Sequence, residues 1–445
     1  MRAFSRPAGG IPPAAVPEAG GRGWVLFAAF GTLVYMSARI ALAAPEPEAD
    51  PEIGGVDPFN TIFQLILLSC GLYHALRQPR ATLETLLRAW PFVLAVALAG
   101  ASVLWSQSPG HTLRRSVSLG TLLLFAAAVW QQLGPRRFMR VVVGATIFAS
   151  VAGLAEALFR PAIGFDVGEY SNAIRGIFWQ KNNFGVALLG GTMALAFLVL
   201  DRGRIRGQDA MIFLGFLVML LLSRSTTALL LSLFVGGSTV LVLGLDRGGG
   251  WRAATVIAVA SALTLAVLAL ALLGSSGLFE AVGKDDTLTG RVHIWAEVYD
   301  AIARRRYLGF GYNAFWLQGY GSAELIWQRV GWIAPTAHSG YLDVMLQLGF
   351  AGLLAVALIN LVTLLRVVRA MLDGQRRLAF WVAMLVVVYG VYNYSESLLL
   401  RPDLQFLLWI MGALALAPVR QGRDAAGWTG PWSFHSAGRA GASGV

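Results

Sequence analysis

The side chains of this sequence that can do chemistry are mostly cations. Arginine holds phosphate or carboxylate oxygens through a planar fork of donors, and lysine holds them as a point charge. A neutral histidine can accept a proton from a hydroxyl group. These residue types predict a site that binds a phosphate-bearing group and moves one proton. The candidate catalytic residues are Arg291 and His338, and the candidate binding residues are Arg114, Arg115, Arg175, Lys181, Asn182, Arg224 and Trp295.

Arg291 and His338 lie in one long segment between apolar stretches, at about residues 274–340. Apolar residues recur at helical spacing after Thr289, which predicts an amphipathic helix on the membrane surface whose N-terminus, near Arg291, favours an anion. His338 directly precedes an apolar span, and the dipole of that helix favours a neutral imidazole able to act as a general base. A helix-capping histidine is an equally good interpretation. The adjacent Asp285 and Asp286 favour helix capping over a metal site.

The remaining candidates lie before and after shorter spans. Arg175 and Lys181 are six residues apart beside Trp179 and Asn182, a combination that suits a phosphate or a sugar, although an interface anchor and a helix cap explain the last two equally well. Arg224 follows an apolar segment, 210–223, that covers only roughly 21 Å as a helix. Arg224 is therefore expected below the membrane interface, facing a polar cavity. The alternative is an ion pair with Glu396.

The elements that must position these residues are transmembrane helices. Of 445 residues, 56% are hydrophobic and 13% charged, and the mean hydropathy is +0.63, whereas soluble proteins have about 25% charged residues. The sequence predicts an all-α polytopic membrane protein with about twelve transmembrane helices and one long outer loop. The single Cys70 excludes a disulfide framework. The expected spans are 24–44, 59–76, 90–107, 117–133, 138–159, 184–200, 210–223, 226–245, 253–273, 341–365, 378–394 and 403–418.

Loop charge predicts the orientation. Residues 45–58 carry acidic residues and no basic ones, whereas the turns on either side are rich in arginine, so the N-terminus is expected inside. The net charge of +11 is then explained by basic inner loops, with no nucleic-acid partner. The expected organisation is an inner tail 1–23, helices one to nine in 24–273, the outer loop 274–340, helices ten to twelve in 341–418 and a disordered inner tail 419–445. A signal-peptidase site at Ala41-Leu42-Ala43 is the alternative to a retained first helix.

Basic residues on the outer side are exceptions to this charge rule and together predict a cationic outer site. Single residues of the set are explained equally well by side chains that extend to the interface. The set is Arg114, Arg115, Arg160, Arg175, Lys181, Arg224, Lys284, Arg291, Arg304 to Arg306, Arg329 and Arg401.

Seven short motifs lie between about residues 105 and 400: Trp105-Ser-x-x-Pro109-x-x-x-Leu-Arg114-Arg115, Arg175-Gly-Ile-Phe-x-x-Lys181-Asn, Ser223-Arg224-Ser225, Thr289-Gly290-Arg291-x-x-x-Trp295, Leu308-Gly-x-Gly-x-x-x-Phe-Trp, Ala337-His338-Ser-Gly-Tyr-Leu-Asp-x-x-x-Gln-Leu-Gly349-x-x-Gly352-Leu and Asn393-x-Ser-Glu396-Ser. Together they resemble the O-antigen ligase/polymerase superfamily, and its exopolysaccharide-polymerase branch in particular. One departure is that many relatives have asparagine after the histidine, where this chain has Ser339.

The resemblance implies a GT-C-like glycosyltransferase at the outer face of a bacterial inner membrane. Its donor would be an oligosaccharide on undecaprenyl diphosphate, and it would need no metal or other cofactor. Arg291 and His338 match the functional arginine and histidine of the family. The acceptor would be another lipid-linked repeat in a polymerase, which the resemblance favours, or a lipid core in a ligase. Membrane lipid, a chain-length regulator and a flippase are the implied partners.

Two other classes of protein remain as alternatives. A transporter would show charges near the membrane midplane and paired hydropathy halves, and neither is clear in the sequence. A non-catalytic scaffold gives no reason for His338 beside an arginine-rich outer loop.

Overall fold

The computed structural model describes residues 21–37, 58–166, 172–245 and 287–418, without the side chains of 287–292. Within these ranges it contains fourteen α-helices, one 3₁₀ turn and no strand. The helices are α1 (Arg22–Tyr35), α2 (Pro58–Arg77), α3 (Pro79–Arg88), α4 (Trp90–Ala101), α5 (Pro109–Phe159), α6 (Pro161–Gly164), α7 (Lys181–Arg202), α8 (Gly207–Leu222), α9 (Thr226–Leu245), α10 (Thr287–Arg304), α11 (Ser322–Val330), α12 (Gly340–Leu372), α13 (Arg376–Ser395) and α14 (Leu404–Ala415).

The all-α polytopic prediction is confirmed. Six of the described helices, α2, α5, α7, α9, α12 and α13, are long and apolar enough to cross a membrane. The helices α3 and α4, with the 3₁₀ turn that follows α4, meet at 92° and together make a seventh span if this bent pair is counted as one. The helices α1, α8 and α14 are apolar but shorter. Each expected span coincides at least in part with a helix, except 253–273, which lies outside the described residues together with the tails 1–20 and 419–445.

Two long helices are broken at glycines. Gly134 has φ +62° within α5 and precedes Pro135, whose ring removes a backbone donor. This break separates the expected spans 117–133 and 138–159, so α5 consists of two helical segments joined at Gly134. The second break is at Gly349 in α12, with φ +61° and ψ −153°.

The glycine-rich segment 306–313 supplies hydrogen-bond partners for the backbone groups at the break in α12. The amides of Phe310 and Gly311 donate to the carbonyls of Leu346 and Gln347 at 2.8 and 2.9 Å, and the amide of Phe350 donates to the carbonyl of Arg306 at 2.8 Å. Irregular backbone at membrane depth requires such partners from the protein. The motif around Gly309 and Gly311 is therefore a structural insert in the bundle.

Two hydrophobic cores position the site. The larger one surrounds α7, which is buried along almost its whole length and packs against α5, α8, α9, α13 and α14. The smaller one joins α10 and α11 to the start of α12. Ile294 and Val298 of α10 are fully buried in it. The helix is therefore amphipathic as expected, and its apolar face packs against protein. Its position on the membrane surface stays a prediction.

Candidate functional site

The segment that carries His338 is held by hydrogen bonds from two helices. The indole Nε1 of Trp295 in α10 donates to the carbonyl of Ala337 at 2.9 Å. The amide of Ala337 donates to Oδ1 of Asp343 in the first turn of α12 at 3.1 Å. Both backbone polar groups of Ala337 are thereby engaged, so the backbone that leads into His338 is held against α10 and α12.

His338 itself adopts a left-handed backbone conformation, with φ +49°. A non-glycine residue in this region is uncommon and costs about 1–3 kcal/mol, which the surrounding contacts must offset. Its amide donates to Oγ1 of Thr336 at 3.2 Å, and its ring lies 5.9 Å from that of Trp332. The N-cap residue of α12 is Ser339, one position later, so the imidazole is positioned ahead of the helix N-terminus.

Asp343 links this segment to Arg401, which was not among the candidate site residues. Its Oδ1 also accepts from the indole of Trp316 at 2.7 Å, and its Oδ2 lies 4.0 Å from the guanidinium of Arg401. Both Asp343 and Arg401 are largely buried. The only signal in the sequence for Arg401 was its place among the basic residues on the predicted outer side.

Arg291 lies in the first turns of α10, one helical turn before Trp295. Residues four apart share a helix face, so Arg291 is on the same face of α10 as the tryptophan that contacts Ala337. The side chain of Arg291 is outside the described residues, as are Asp285 and Asp286. Trp295 also packs edge-on against Tyr394, with the ring centroids 5.8 Å apart.

A second connection reaches the site from α7. Nδ2 of Asn182 donates to Oε1 of Glu396 at 2.9 Å, and the backbone carbonyl of Glu396 accepts from the amide of Gly340 at 2.9 Å. Asn182 is thus two contacts away from the start of α12 and is not the N-cap of α7, which is Gln180. Lys181 is buried at the first position of α7, and its amide donates to Oδ2 of Asp166 at 3.0 Å.

Arg175 is buried inside its own loop. Its Nε donates to the carbonyl of Ile163 at 2.9 Å and its Nη1 to the carbonyl of Trp179 at 3.1 Å. Burial lowers the pKa of its guanidinium, and nearby Asp166 opposes this shift. With 1% of its surface exposed, Arg175 holds the loop before α7 in shape; direct contact with a diphosphate stays a prediction.

Arg224 lies in the tight turn between α8 and α9. Its φ is +51° and its side chain is exposed, while Ser223 and Ser225 on either side are buried. The carbonyl of Leu222, just before the turn, accepts from the amide of Ile174 at 3.0 Å, so this turn lies beside the Arg175 loop. Within the described residues, Arg224 makes no side-chain hydrogen bond or ion pair, including the suggested one with Glu396.

Arg114 and Arg115 flank His111 in the first turns of α5, at 3.1 and 3.3 Å from its ring nitrogens. Arg115 also lies near the hydroxyl of Tyr312: burial raises the pKa of that phenol, and Arg115 and Arg401 both act to lower it. The same hydroxyl donates to the carbonyl of Leu400 at 2.5 Å. Arg114 is exposed. The start of α5 contacts the Tyr312 segment directly, because Oγ1 of Thr112 donates to the carbonyl of Tyr312 at 3.0 Å.

The predicted site residues thus gather at one end of the helix bundle. The segment that carries His338 is connected to Trp295 and, through Asp343, to Arg401, and the start of α5 with Arg115 reaches the same end through Thr112 and Tyr312. Asn182, Lys181, Arg175 and Arg224 lie around the start of α7 and connect to α12 through Glu396. A phosphate-bearing group bound at this end would meet cations contributed by separate elements of the fold.

The chain is similar in sequence to one family model and to one characterised protein. A family model described as O-antigen ligase matches residues 210–357, which include Arg224, Arg291, Trp295 and His338. The exopolysaccharide production protein ExoQ of Rhizobium meliloti (strain 1021) is 27% identical over 283 residues, which cover 61% of this chain. The match spans 63% of the length of that relative, which is less than two thirds.

Proposed function

Because the chain belongs to the O-antigen ligase/polymerase family, we propose that it polymerises oligosaccharide repeat units carried on undecaprenyl diphosphate. The reaction would take place at the periplasmic face of the bacterial inner membrane, with Arg291 and His338 as catalytic residues. The observation that carries this proposal is the hydrogen bond from Trp295 to the carbonyl of Ala337 at 2.9 Å. This bond joins the helix that contains Arg291 to the residue before His338.

The proposed chemistry is a displacement at the anomeric carbon of the donor sugar. The acceptor hydroxyl oxygen forms a bond to this carbon while the bond from the carbon to the diphosphate oxygen breaks. The electron pair stays on the departing diphosphate, and the hydroxyl proton passes to the imidazole of His338. A positioned base of this kind contributes about 10²–10⁴-fold to the rate.

Cations stabilise the negative charge that accumulates on the leaving diphosphate. Arg291 has this role in the proposal, and loss of one such donor typically costs about 3 kcal/mol of transition-state stabilisation. Lys181, Asn182 and Arg224 would bind the rest of the donor head group, and Arg401 with Arg115 would add positive charge behind Asp343. Arg175 supports this binding indirectly, by holding the loop that leads to α7.

Transfer to a different acceptor, such as the core of a lipid, is the second candidate function. It is favoured by the description of the matched family model as O-antigen ligase. The two functions share the donor, the leaving group and the catalytic residues, and they differ only in which molecule supplies the hydroxyl. A chain-length regulator and a flippase are the protein partners proposed from the resemblance.

The acceptor is identified by incubating purified protein with a lipid-diphosphate repeat unit and no other acceptor. A ladder of products supports polymerisation, whereas no product until a separate acceptor is added supports ligation. Arg291→Ala and His338→Ala should each abolish the product. His293→Ala, exposed on the same helix as Arg291, is the control. A normal ladder from either catalytic variant refutes the role assigned to that residue.

The orientation is tested by cysteine labelling in a Cys70→Ser background. Ile333→Cys lies on an exposed position five residues before His338, and it should react with a membrane-impermeant maleimide in cells whose outer membrane alone is opened. Arg204→Cys, exposed at the opposite end of α7, should react only after the inner membrane is opened. The reverse pattern contradicts a periplasmic site.

A further inference from the structure

A second group of arginines surrounds a cavity at the opposite end of α7 from His338. α7 runs from Lys181 to Arg202 over 22 residues, which separates its two ends by about 33 Å. The cavity has a volume of about 590 Å³, and we call it the arginine cavity. Its charged lining consists of Arg136, Arg140, Arg202, Arg206, Asp201 and Asp209.

The carboxylates of the arginine cavity are already engaged. Asp201 accepts from Arg136 at 2.7 Å, and Asp209 accepts from the guanidinium of Arg202 at 2.6 Å and from the backbone amide of Arg206 at 2.8 Å. Arg140 and the Arg206 side chain are exposed and form no ion pair within the described ranges. Four guanidinium groups and two carboxylates leave a formal charge of 4 − 2 = +2 in the lining.

This excess charge matches a phosphate group, which carries a charge between about −1 and −2 near pH 7. Arginine forks suit phosphate oxygens because they present parallel donors in a fixed plane. The ion pairs with Asp201 and Asp209 hold two of the forks in place, so the anion would meet partly preorganised donors. Gln208 adds a neutral polar group to the lining.

The apolar lining of the cavity indicates where the phosphate comes from. Val143, Leu195, Leu198 and Ile212 line it beside the charged groups, and they belong to α5, α7 and α8. A soluble anion gains nothing from this apolar wall, whereas a lipid can bury part of its apolar body there. We infer that the arginine cavity binds the phosphate head group of an anionic lipid, at a site separate from the one proposed for glycosyl transfer.

Native mass spectrometry of the purified full chain with phosphatidylglycerol or phosphatidylcholine tests this inference. The wild type should retain phosphatidylglycerol and not phosphatidylcholine. The variant Arg140→Gln/Arg206→Gln should bind phosphatidylglycerol about 25-fold more weakly, because one arginine near a membrane surface contributes about fivefold to the binding of an anionic lipid. Arg204→Gln is the matched control, since Arg204 is exposed at the same end but does not line the cavity. It should change binding by less than about twofold.

Asp201→Asn changes binding in the opposite direction and so separates a binding effect from misfolding. Asparagine keeps the oxygen that accepts from Arg136 and removes only the negative charge. The formal charge of the lining therefore rises by one unit, and phosphatidylglycerol should bind more tightly. Equal retention of phosphatidylcholine, or an equal loss in Arg204→Gln and the double variant, would overturn the inference. If inorganic phosphate binds with the same dependence on these variants and the lipid does not, the phosphate chemistry stands and the lipid source is refuted. None of these readouts depends on glycosyl transfer.

Discussion

Replacement of Trp295 by phenylalanine removes one hydrogen bond next to His338 and little else. The indole Nε1 donates to the carbonyl of Ala337 at 2.9 Å, and the ring packs edge-on against Tyr394. Phenylalanine keeps an aromatic ring in this place but has no N–H group. We therefore expect the fold to persist while the His338 segment loses its hydrogen bond to α10 and keeps its hydrogen bond to α12.

The size of the effect follows from this single bond. A hydrogen bond between neutral groups contributes about 0.5–1.5 kcal/mol net. If the whole of this contribution positions His338 in the transition state, Trp295→Phe slows polymerisation by roughly 2- to 12-fold. Removal of the base itself by His338→Ala should cost about 10²–10⁴-fold. Trp295→Phe should therefore be partly active, clearly below wild type and clearly above His338→Ala.

Trp327→Phe provides a matched control. The indole Nε1 of Trp327 donates to the carbonyl of Ala334 at 2.8 Å, so this variant loses the same kind of bond three residues further from the histidine. Both variants should lower the free energy of unfolding by about 1 kcal/mol, measured by chemical denaturation. Only Trp295→Phe should slow the growth of the product ladder from a lipid-diphosphate repeat unit.

Two results would refute this reasoning. Trp295→Phe at full rate would show that the bond to Ala337 does not position the histidine. An equal loss of rate in Trp327→Phe would show that the activity follows the general stability of the smaller core.

Three further predictions concern the residues around the site. Asp343→Asn keeps an acceptor oxygen and should be more active and more stable than Asp343→Ala. The alanine variant leaves two buried donors without an acceptor and should lose about 2–6 kcal/mol of unfolding free energy. Equal losses in the two variants would contradict this prediction. Gly349→Ala places a methyl group against the backbone of the glycine-rich segment and should melt well below Gly374→Ala, which has a positive φ but open space; equal melting temperatures would show that only backbone strain matters there. Arg175→Gln loses two charged hydrogen bonds of about 1.5–3 kcal/mol each and should lower the stability measured by denaturation. Arg224 is exposed, so Arg224→Gln should affect donor binding alone, measured as a change in KM.

The main features of the fold could be predicted from the sequence because they depend on local patterns. A bilayer requires long apolar helices, so hydropathy located eleven of the twelve expected spans within or beside described helices. The helical spacing after Thr289 likewise predicted α10. Periodicity identifies an apolar face but not the partner that covers it, so it did not show that this face of α10 packs against α11 and α12. The position of α10 on the membrane surface stays a prediction.

The candidate site was predicted only in part. The motifs that resemble the family suggested that Arg291, His338 and Trp295 share one site, and this stays a prediction. The structure adds that Trp295 contacts Ala337. Nothing in the sequence indicated that Arg175 is almost fully buried, or that Asp343 and Arg401 lie beside the His338 segment. Burial depends on which helices surround a loop, and a single sequence does not contain that information.

The sequence by itself determined that this chain is a helical membrane protein with cations gathered between its spans, since solvation by lipid restricts composition and segment length. Only the tertiary structure decided which of those groups meet. Asn182 and Glu396 are separated by 214 residues, and Trp295 and Ala337 by 42. Their contacts arise because helices distant in the chain pack side by side, and because buried polar groups must find partners wherever that packing places them.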